Sequence, residues 1–264
     1  MTIATLDAGK VTREIQDHLF LIGLDRAAKR NAFDSSLITD LSLALTEYEQ
    51  RTDLRCAVIF AHGEHFTAGL DLLEIQDKLA TGFFSTDSDI VNPWGTTGRQ
   101  RTKPLIVAVH GYCFTAGIEL MLNADLVIAQ ANTQFAQMEV LRGILPFGGA
   151  TVRFVRNAGW QQAMRYLLTG ERFDTATAYR LNLITEITQD HPLQRATELA
   201  RQIAAAAPLA VQATLAAAQD GVSLTEAEAM QRLSLHLKPL LKSHDAQEGV
   251  RSMLEKRPPR FQGQ

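Results

Sequence analysis

Apolar runs and amphipathic stretches alternate along roughly the first 190 residues of this chain. Residues 11–24 hold two strand-like segments broken near Asp17, and the runs RCAVIFA, LIVAV and LVIA have the continuous apolar character of buried strands. Apolar side chains recur with a 3.6-residue period over about residues 35–50, which predicts an amphipathic helix capped by Asp34 or Ser35. This alternation predicts an α/β core with parallel strands.

Two regions depart from the alternation. Residues 81–103 are polar and rich in Gly, Ser and Thr, and a long irregular loop of this kind is often a lid or a substrate wall. From Pro192 onward the pattern predicts helices only. The expected breaks between these helices are Pro208, Gly221 and Ser243. We therefore expect a core over residues 1–195 and a C-terminal helical region over residues 196–264, both within one functional unit.

The composition narrows the class of protein. Apolar residues make up 46% of the 264 residues and charged residues 21%, and the net charge of −3 offers no basic surface for nucleic acid. Cys56 and Cys113 lie in or beside apolar runs and are expected to be reduced core residues. The segment MTIATLDAGK lacks the pattern of a signal peptide, and no apolar run reaches membrane-span length. We expect a cytoplasmic protein with neither a membrane nor a nucleic-acid partner.

Two turns of the chain share one design. Each follows a buried strand, contains Phe-Thr-Ala-Gly and precedes a predicted helix, in the segments HFTAGLD and CFTAGIE. The first N–H groups of a helix have no partner inside the helix, and small side chains let a ligand oxygen approach them closely. The amides of Ala68 and Ala116 could therefore form an oxyanion hole, unless these turns are only ordinary helix entries.

Two glutamates complete the candidate site. Glu119 lies three residues beyond Ala116, about 4.5 Å along the helix axis and on the same face. Glu139 follows the next strand-like segment and precedes an apolar stretch. Each acid also has a plain alternative, Glu119 as a first-turn residue favoured by the helix dipole and Glu139 as a surface acid. The dipole weakly favours the ionised form of Glu119, but two neighbouring carboxyl groups titrate as a unit, so acid and base stay unassigned.

The combined motifs resemble the enoyl-CoA hydratase/isomerase, or crotonase, family, and most of all its hydratase members. The resemblance runs from about Leu21 to Arg257. It is carried by DRAAKRNAF, HFTAGLD, KPLIVAVHGYCFTAGIELMLNADLVIA and FAQMEVLRGILPFGGA, with PLAVQATLAAA and EKRPPRF near the end. It implies an α/β fold, a crotonase-like spiral of ββα units, with a C-terminal helical part that assembles homotrimers or dimers of trimers.

The same resemblance implies roles for individual residues. It places the oxyanion-hole amides on Ala68 and Ala116, and the acid/base pair on Glu119 and Glu139. It further implies that the thioester and pantetheine are lined by Ala68, Gly69, Leu70 and Asp71. Arg26 would lie near the CoA phosphates, and the region of Phe261 near CoA in a neighbouring subunit. No metal and no separate cofactor are implied, because coenzyme A is part of the acyl-CoA substrate.

The activity that these features predict is hydration of a 2-enoyl-CoA thioester to a 3-hydroxyacyl-CoA. A double-bond isomerase or another crotonase-type enzyme is the nearest alternative, followed by a non-catalytic acyl-CoA binder. A serine hydrolase is disfavoured because the turns offer Thr67 and Thr115 and no G-x-S-x-G sequence. His62, His65 and His110 lack metal-ligand spacing and are interpreted as polar turn residues.

Three departures from the hydratase pattern leave the acyl group open. The turn before Glu119 is Thr-Ala-Gly in place of three glycines, so its methyl groups narrow the approach to the Ala116 amide. Met138 replaces a frequent proline, and Phe147 stands where a small residue is usual.

Overall fold

A computed structural model describes residues 8–79 and 87–264 of the chain. Most of the N-terminal segment that was compared with a signal peptide, and residues 81–86 of the expected lid, lie outside these ranges. The strands are β1 Lys10–Gln16, β2 Leu19–Asp25, β3 Cys56–Ala61, β4 Leu105–Val109, β5 Tyr112–Phe114, β6 Leu126–Gln130, β7 Gln134–Ala136, β8 Phe173–Asp174 and β9 Glu186–Thr188. The helices are α1 Ser35–Gln50, α2 Leu72–Leu79, α3 Ala116–Met121, α4 Ala150–Ala158, α5 Trp160–Thr169, α6 Thr175–Arg180, α7 Pro192–Ala205, α8 Pro208–Ser223, α9 Glu226–Leu240 and α10 His244–Leu254.

The main sheet has the strand order β1-β2-β3-β4-β6-β9. β1 pairs with β2 as an antiparallel hairpin, and every later pair is parallel, as the alternation of strands and helices predicts. One face packs with α1, and the opposite face packs with α7. β3 and β4 are buried at every position because helices cover both faces, which explains their continuous apolar sequences.

A second sheet of β5, β7 and β8 carries the candidate site. Its strands have only two or three residues, too short to show a sequence period, and β5 was not expected. β5 and β7 run parallel, so their carboxyl ends lie at the same edge. Thr115 follows one of these ends and Gln137 the other, and this edge therefore brings the start of α3 close to Glu139.

The C-terminal helices correct two expectations. α7 packs its alanines against the main sheet and spans the expected boundary at residues 195 and 196, so it belongs to the core. Gly221 does not interrupt α8, since a helix interior tolerates one glycine at a cost of about 1 kcal/mol. The break comes at Thr225, whose hydroxyl and the carboxylate of Glu228 form a capping box that starts α9.

The last three helices leave an apolar face uncovered within the chain. Neither α8 nor α9 contains a buried residue. Their large exposed apolar side chains and those of α10 are Val222, Met230, Leu233, Leu235, Leu237, Val250, Met253 and Leu254. No helix in the described ranges is both long enough and apolar enough to cross a bilayer.

Candidate active site

The two Phe-Thr-Ala-Gly turns lie side by side. The Thr67 N–H donates to the Tyr112 carbonyl at 2.9 Å, and the Phe114 N–H donates back to the Thr67 carbonyl at 3.1 Å. Gly69 packs against Thr115 so closely that a Cβ on Gly69 would lie 1.9 Å from the Thr115 hydroxyl. These contacts fix the two turns relative to each other, as a two-amide site requires.

The second turn presents a free amide. Ala116 is the first residue of α3, and its N–H has no hydrogen-bond partner among the described residues. Its carbonyl is held by the Trp94 indole, whose Nε1–H donates at 2.8 Å. Thr115 precedes it with φ 49° and ψ −112°, a conformation that costs a β-branched residue steric strain. This strained backbone aims the Ala116 N–H out of the helix start.

The first turn contradicts the assignment of an oxyanion-hole amide to Ala68. The Ala68 N–H already donates to the Arg30 carbonyl at 2.9 Å, and Ala68 lies four residues before α2, not at its start. Leu70 pairs with Phe33 as a β-bridge, in which the neighbouring Gly69 carbonyl and Asp71 N–H bond to Phe33.

Alternate backbone groups of an extended segment point to opposite edges, so the Leu70 N–H points away from Phe33. Within the described part of the chain this N–H has no partner. Leu70, not Ala68, therefore supplies the first turn's available amide.

Glu139 is a buried acid with one carboxylate oxygen that forms no hydrogen bond within the described chain. It begins a 3-10 helix, Glu139–Arg142, and is 5% exposed. Its Oε1 accepts a hydrogen bond from Gln137 Nε2 at 2.9 Å, whereas its Oε2 has no partner in the described structure. Burial raises the pKa of Glu139 from 4.5 to about 7, although the bond from Gln137 opposes this shift. Such a group holds or releases a proton near neutral pH.

Glu119 lies on α3 and is 2% exposed. Its Oε1 accepts the Ala150 N–H at 3.1 Å. Burial, with a smaller contribution from the charge of Glu139, raises the pKa of Glu119 from 4.5 to about 8. Desolvation therefore outweighs the helix dipole, which had weakly favoured an ionised Glu119. The two raised pKa values lie close together, so the pair is suited to share one proton.

A cavity of about 150 Å³ lies between the two turns. It is lined by Ala68, Leu70, Leu72, Thr115, Met138, Glu139, Arg142 and Ile144. The structure thus brings Leu70 and Glu139 to one cavity, with Ala116 directly after its wall residue Thr115. Glu119 and Ala116 are not among the lining residues of the described chain, but the charge of Glu139 in the cavity wall raises the pKa of Glu119.

Arg26, expected near the CoA phosphates, is held in place by two carboxylates. Its Nε lies 3.1 Å from the Asp34 carboxylate and its guanidinium NH1 lies 2.8 Å from that of Asp71, with the side chain 9% exposed. Asp71 is therefore an ion-pair partner that fixes the loop, and neither it nor Gly69 lines the cavity. The contacts of both residues position the first turn.

The histidines and cysteines have structural contacts. His62 Nε2 lies 2.7 Å from the Thr12 hydroxyl, and His110 Nε2 lies 2.9 Å from the Gly63 carbonyl. Across residues 8–79 and 87–264, no three His, Cys, Asp or Glu side chains are grouped to hold a metal ion. Cys56 and Cys113 are free and buried, as predicted.

Comparison with known proteins decides the family. The sequence matches the model of the family described as enoyl-CoA hydratase/isomerase over residues 14–264. The chain belongs to the enoyl-CoA hydratase/isomerase family. Enoyl-CoA hydratase EchA19 of Mycobacterium tuberculosis is 33% identical, over 98% of this chain and 99% of that protein. The 2,3-dehydroadipyl-CoA hydratase of Escherichia coli is 34% identical, over 94% of this chain and 96% of its own.

Solved structures of this family confirm the crotonase-like fold. A probable enoyl-CoA hydratase/isomerase from Mycobacterium abscessus has a TM-score of 0.93 and 45% identity, covering 97% of this chain and 99% of that one. An enoyl-CoA hydratase from Mycobacterium tuberculosis has a TM-score of 0.87 and 30% identity, with the same two coverages. The C-terminal helices are included in both matches.

Several residues of this hydratase/isomerase site had no role in the sequence-based assignment. Gln137 holds Glu139, and the only available signal was a polar residue two positions before an acid. Trp94 holds the start of α3 from a distant loop, which no local pattern indicates. Gly148 lies so close to Glu119 that a Cβ on Gly148 would lie 2.6 Å from Oε2 of Glu119. The only sequence signal for this close approach was the pair of adjacent glycines, Gly148 and Gly149.

Proposed function

We propose that this protein hydrates 2-enoyl-CoA thioesters to 3-hydroxyacyl-CoA thioesters. The observation that carries the proposal is the unpartnered Oε2 of Glu139, which lines a cavity beside two backbone amides with no partner in the described chain. Proteins similar over almost the whole chain carry hydratase names, which supports the same reaction type.

The proposed chemistry begins at the thioester carbonyl. Its oxygen accepts hydrogen bonds from the Leu70 and Ala116 N–H groups, which stabilise the negative charge that develops there. One carboxylate takes a proton from water as the water oxygen bonds to C3. The other carboxyl group, protonated, gives its proton to C2, and the two groups then re-equilibrate. Burial favours one ionised and one protonated carboxyl group, because it raises both pKa values and so keeps one shared proton on Glu119 and Glu139 near neutral pH.

Coenzyme A enters as part of the substrate, and the proposed reaction uses no separate cofactor. We propose a homotrimer, or a dimer of trimers, as the assembled form. The support is the uncovered apolar face of α8–α10, because large exposed apolar patches mark interaction surfaces.

The test is incubation of the purified protein with 2-hexenoyl-CoA and separately with its 3-enoyl isomer. Loss of the conjugated enoyl absorbance, with 3-hydroxyhexanoyl-CoA identified by mass spectrometry, is the expected result. If the 3-enoyl compound is converted to the 2-enoyl compound and no water is added, the isomerase assignment replaces the hydratase. If both compounds bind without turnover, the protein is an acyl-CoA binder.

A further inference from the structure

The wall of the active-site cavity contains one basic residue, Arg142. Its side chain is exposed at the cavity mouth, and it forms no ion pair with any residue of the described ranges. Its guanidinium donates only to the carbonyl of the adjacent Leu141, at 3.2 Å. A cation that faces a substrate cavity without an acidic partner is available to an anion on the substrate.

Arg142 and Glu139 lie at opposite ends of one 3-10 helix. Side chains three residues apart in such a helix are eclipsed, so both face the same side. They nevertheless form no ion pair, because Glu139 Oε2 remains unpartnered and Oε1 is held by Gln137. The positive charge of Arg142 is therefore not neutralised by an ion pair with the catalytic acid.

Most of the remaining cavity wall is apolar. Leu70, Leu72, Met138 and Ile144 line the same cavity as the acid and the guanidinium. Such a wall suits a short run of methylene groups, and the charge at its end suits a terminal anion.

The size of the cavity distinguishes two sources of that anion. Arg142 and Glu139 line the same cavity of about 150 Å³, so an anion held there by the guanidinium lies close to the catalytic carboxyl group. The CoA phosphates lie a pantetheine arm away from the thioester, about 14 Å if the arm is extended like four residues. An anion close to the reacting carbons is therefore on the acyl group.

Resting on the hydratase function above, we propose that Arg142 binds a terminal carboxylate of the acyl group and makes the preferred substrate a dicarboxylic 2-enoyl-CoA. The charge-assisted hydrogen bond should favour the dicarboxylic compound about 10–100-fold in kcat/KM over the matched monocarboxylic compound.

The probes are 2,3-dehydroadipyl-CoA and 2-hexenoyl-CoA, which share carbon count and double-bond position and differ only in a terminal carboxylate or methyl group. The wild-type ratio of their kcat/KM values is compared with the ratios for Arg142→Gln and Arg142→Lys. We expect Arg142→Gln to lower the ratio about 10–100-fold, and Arg142→Lys to restore part of it. Arg156→Gln, an exposed arginine of α4 outside the cavity, controls for the change in net charge.

The outcomes separate this proposal from the function on which it rests. If both compounds are hydrated with equal efficiency, or if Arg142→Gln keeps the wild-type ratio, the carboxylate site is refuted and the hydratase stands. If neither compound is hydrated, the hydratase function fails and the specificity proposal fails with it.

Discussion

A substitution at Gly148 tests whether catalysis depends on the position of the Glu119 carboxyl group, because it moves that group without replacing it. A Cβ built on Gly148 would lie 2.6 Å from Glu119 Oε2, 2.9 Å from its Cδ and 3.0 Å from Trp94 Cδ1. Ordinary van der Waals contact begins at 3.4 Å, so the carboxyl group must move by about 0.8 Å to admit a methyl group. Gly148 is not among the glycines with positive φ, and Gly148→Ala therefore adds volume without backbone strain.

A misplacement of about 1 Å in a catalytic constellation can lower the rate by about 10²-fold. We therefore expect Gly148→Ala to lower kcat for 2-enoyl-CoA hydration by about 30–100-fold, with a much smaller change in KM. Loss of enoyl absorbance measures the rate, and thermal unfolding confirms that the variant folds.

Gly249→Ala is the matched control for this prediction. A Cβ on Gly249 in α10 would lie 3.9 Å from the Phe261 ring, an ordinary contact. A folded Gly148→Ala protein with wild-type kcat would show that catalysis does not depend on where the Glu119 carboxyl group lies.

Three further predictions follow from burial, backbone strain and the uncovered apolar face. The free energy of unfolding should fall as pH rises from about 4.5 to 8, because the unfolded chain releases the proton of Glu119 while the folded chain retains it. Glu119→Gln should flatten that fall in a series of thermal melts, and an unchanged slope would contradict the raised pKa. Thr115→Gly should raise the free energy of unfolding by about 1 kcal/mol, since strain of about 1–3 kcal/mol exceeds the entropic cost of glycine. A drop in the denaturant midpoint would mean that threonine contacts outweigh this strain. If the protein forms the proposed trimer, Leu237→Asp should convert it to monomer in sedimentation velocity, and a persistent trimer would place the interface elsewhere.

The sequence predicted the parts of the fold that depend on local pattern. The hairpin broken at Asp17, the helix capped by Asp34 and the buried strand over Leu105–Val109 are present as expected. Each has a strong period, an uninterrupted apolar run or a capping residue within its own segment. The sequence also predicted a helix that starts at the second turn and carries Glu119, and this helix is α3.

Features that depend on long-range pairing were not predictable from the sequence. Whether Ala68 or Leu70 has an available N–H is decided by the segment around Phe33, which is distant in sequence. The resemblance to the family implied that Arg26 lies near phosphates, but it did not indicate that the carboxylates of Asp34 and Asp71 pair with Arg26. In both cases a residue distant in sequence forms a hydrogen bond or ion pair with the group, and the local sequence gives no sign of that partner.

The central claim is that Glu119 and Glu139 move the protons of hydration. The most direct measurement is single-turnover hydration of 2-hexenoyl-CoA by Glu119→Gln and Glu139→Gln, with binding of the same thioester measured separately. We expect each variant to bind the thioester and to lose at least about 10²-fold in the hydration rate, the effect of a removed acid or base. Wild-type hydration rates in both folded variants would contradict this claim.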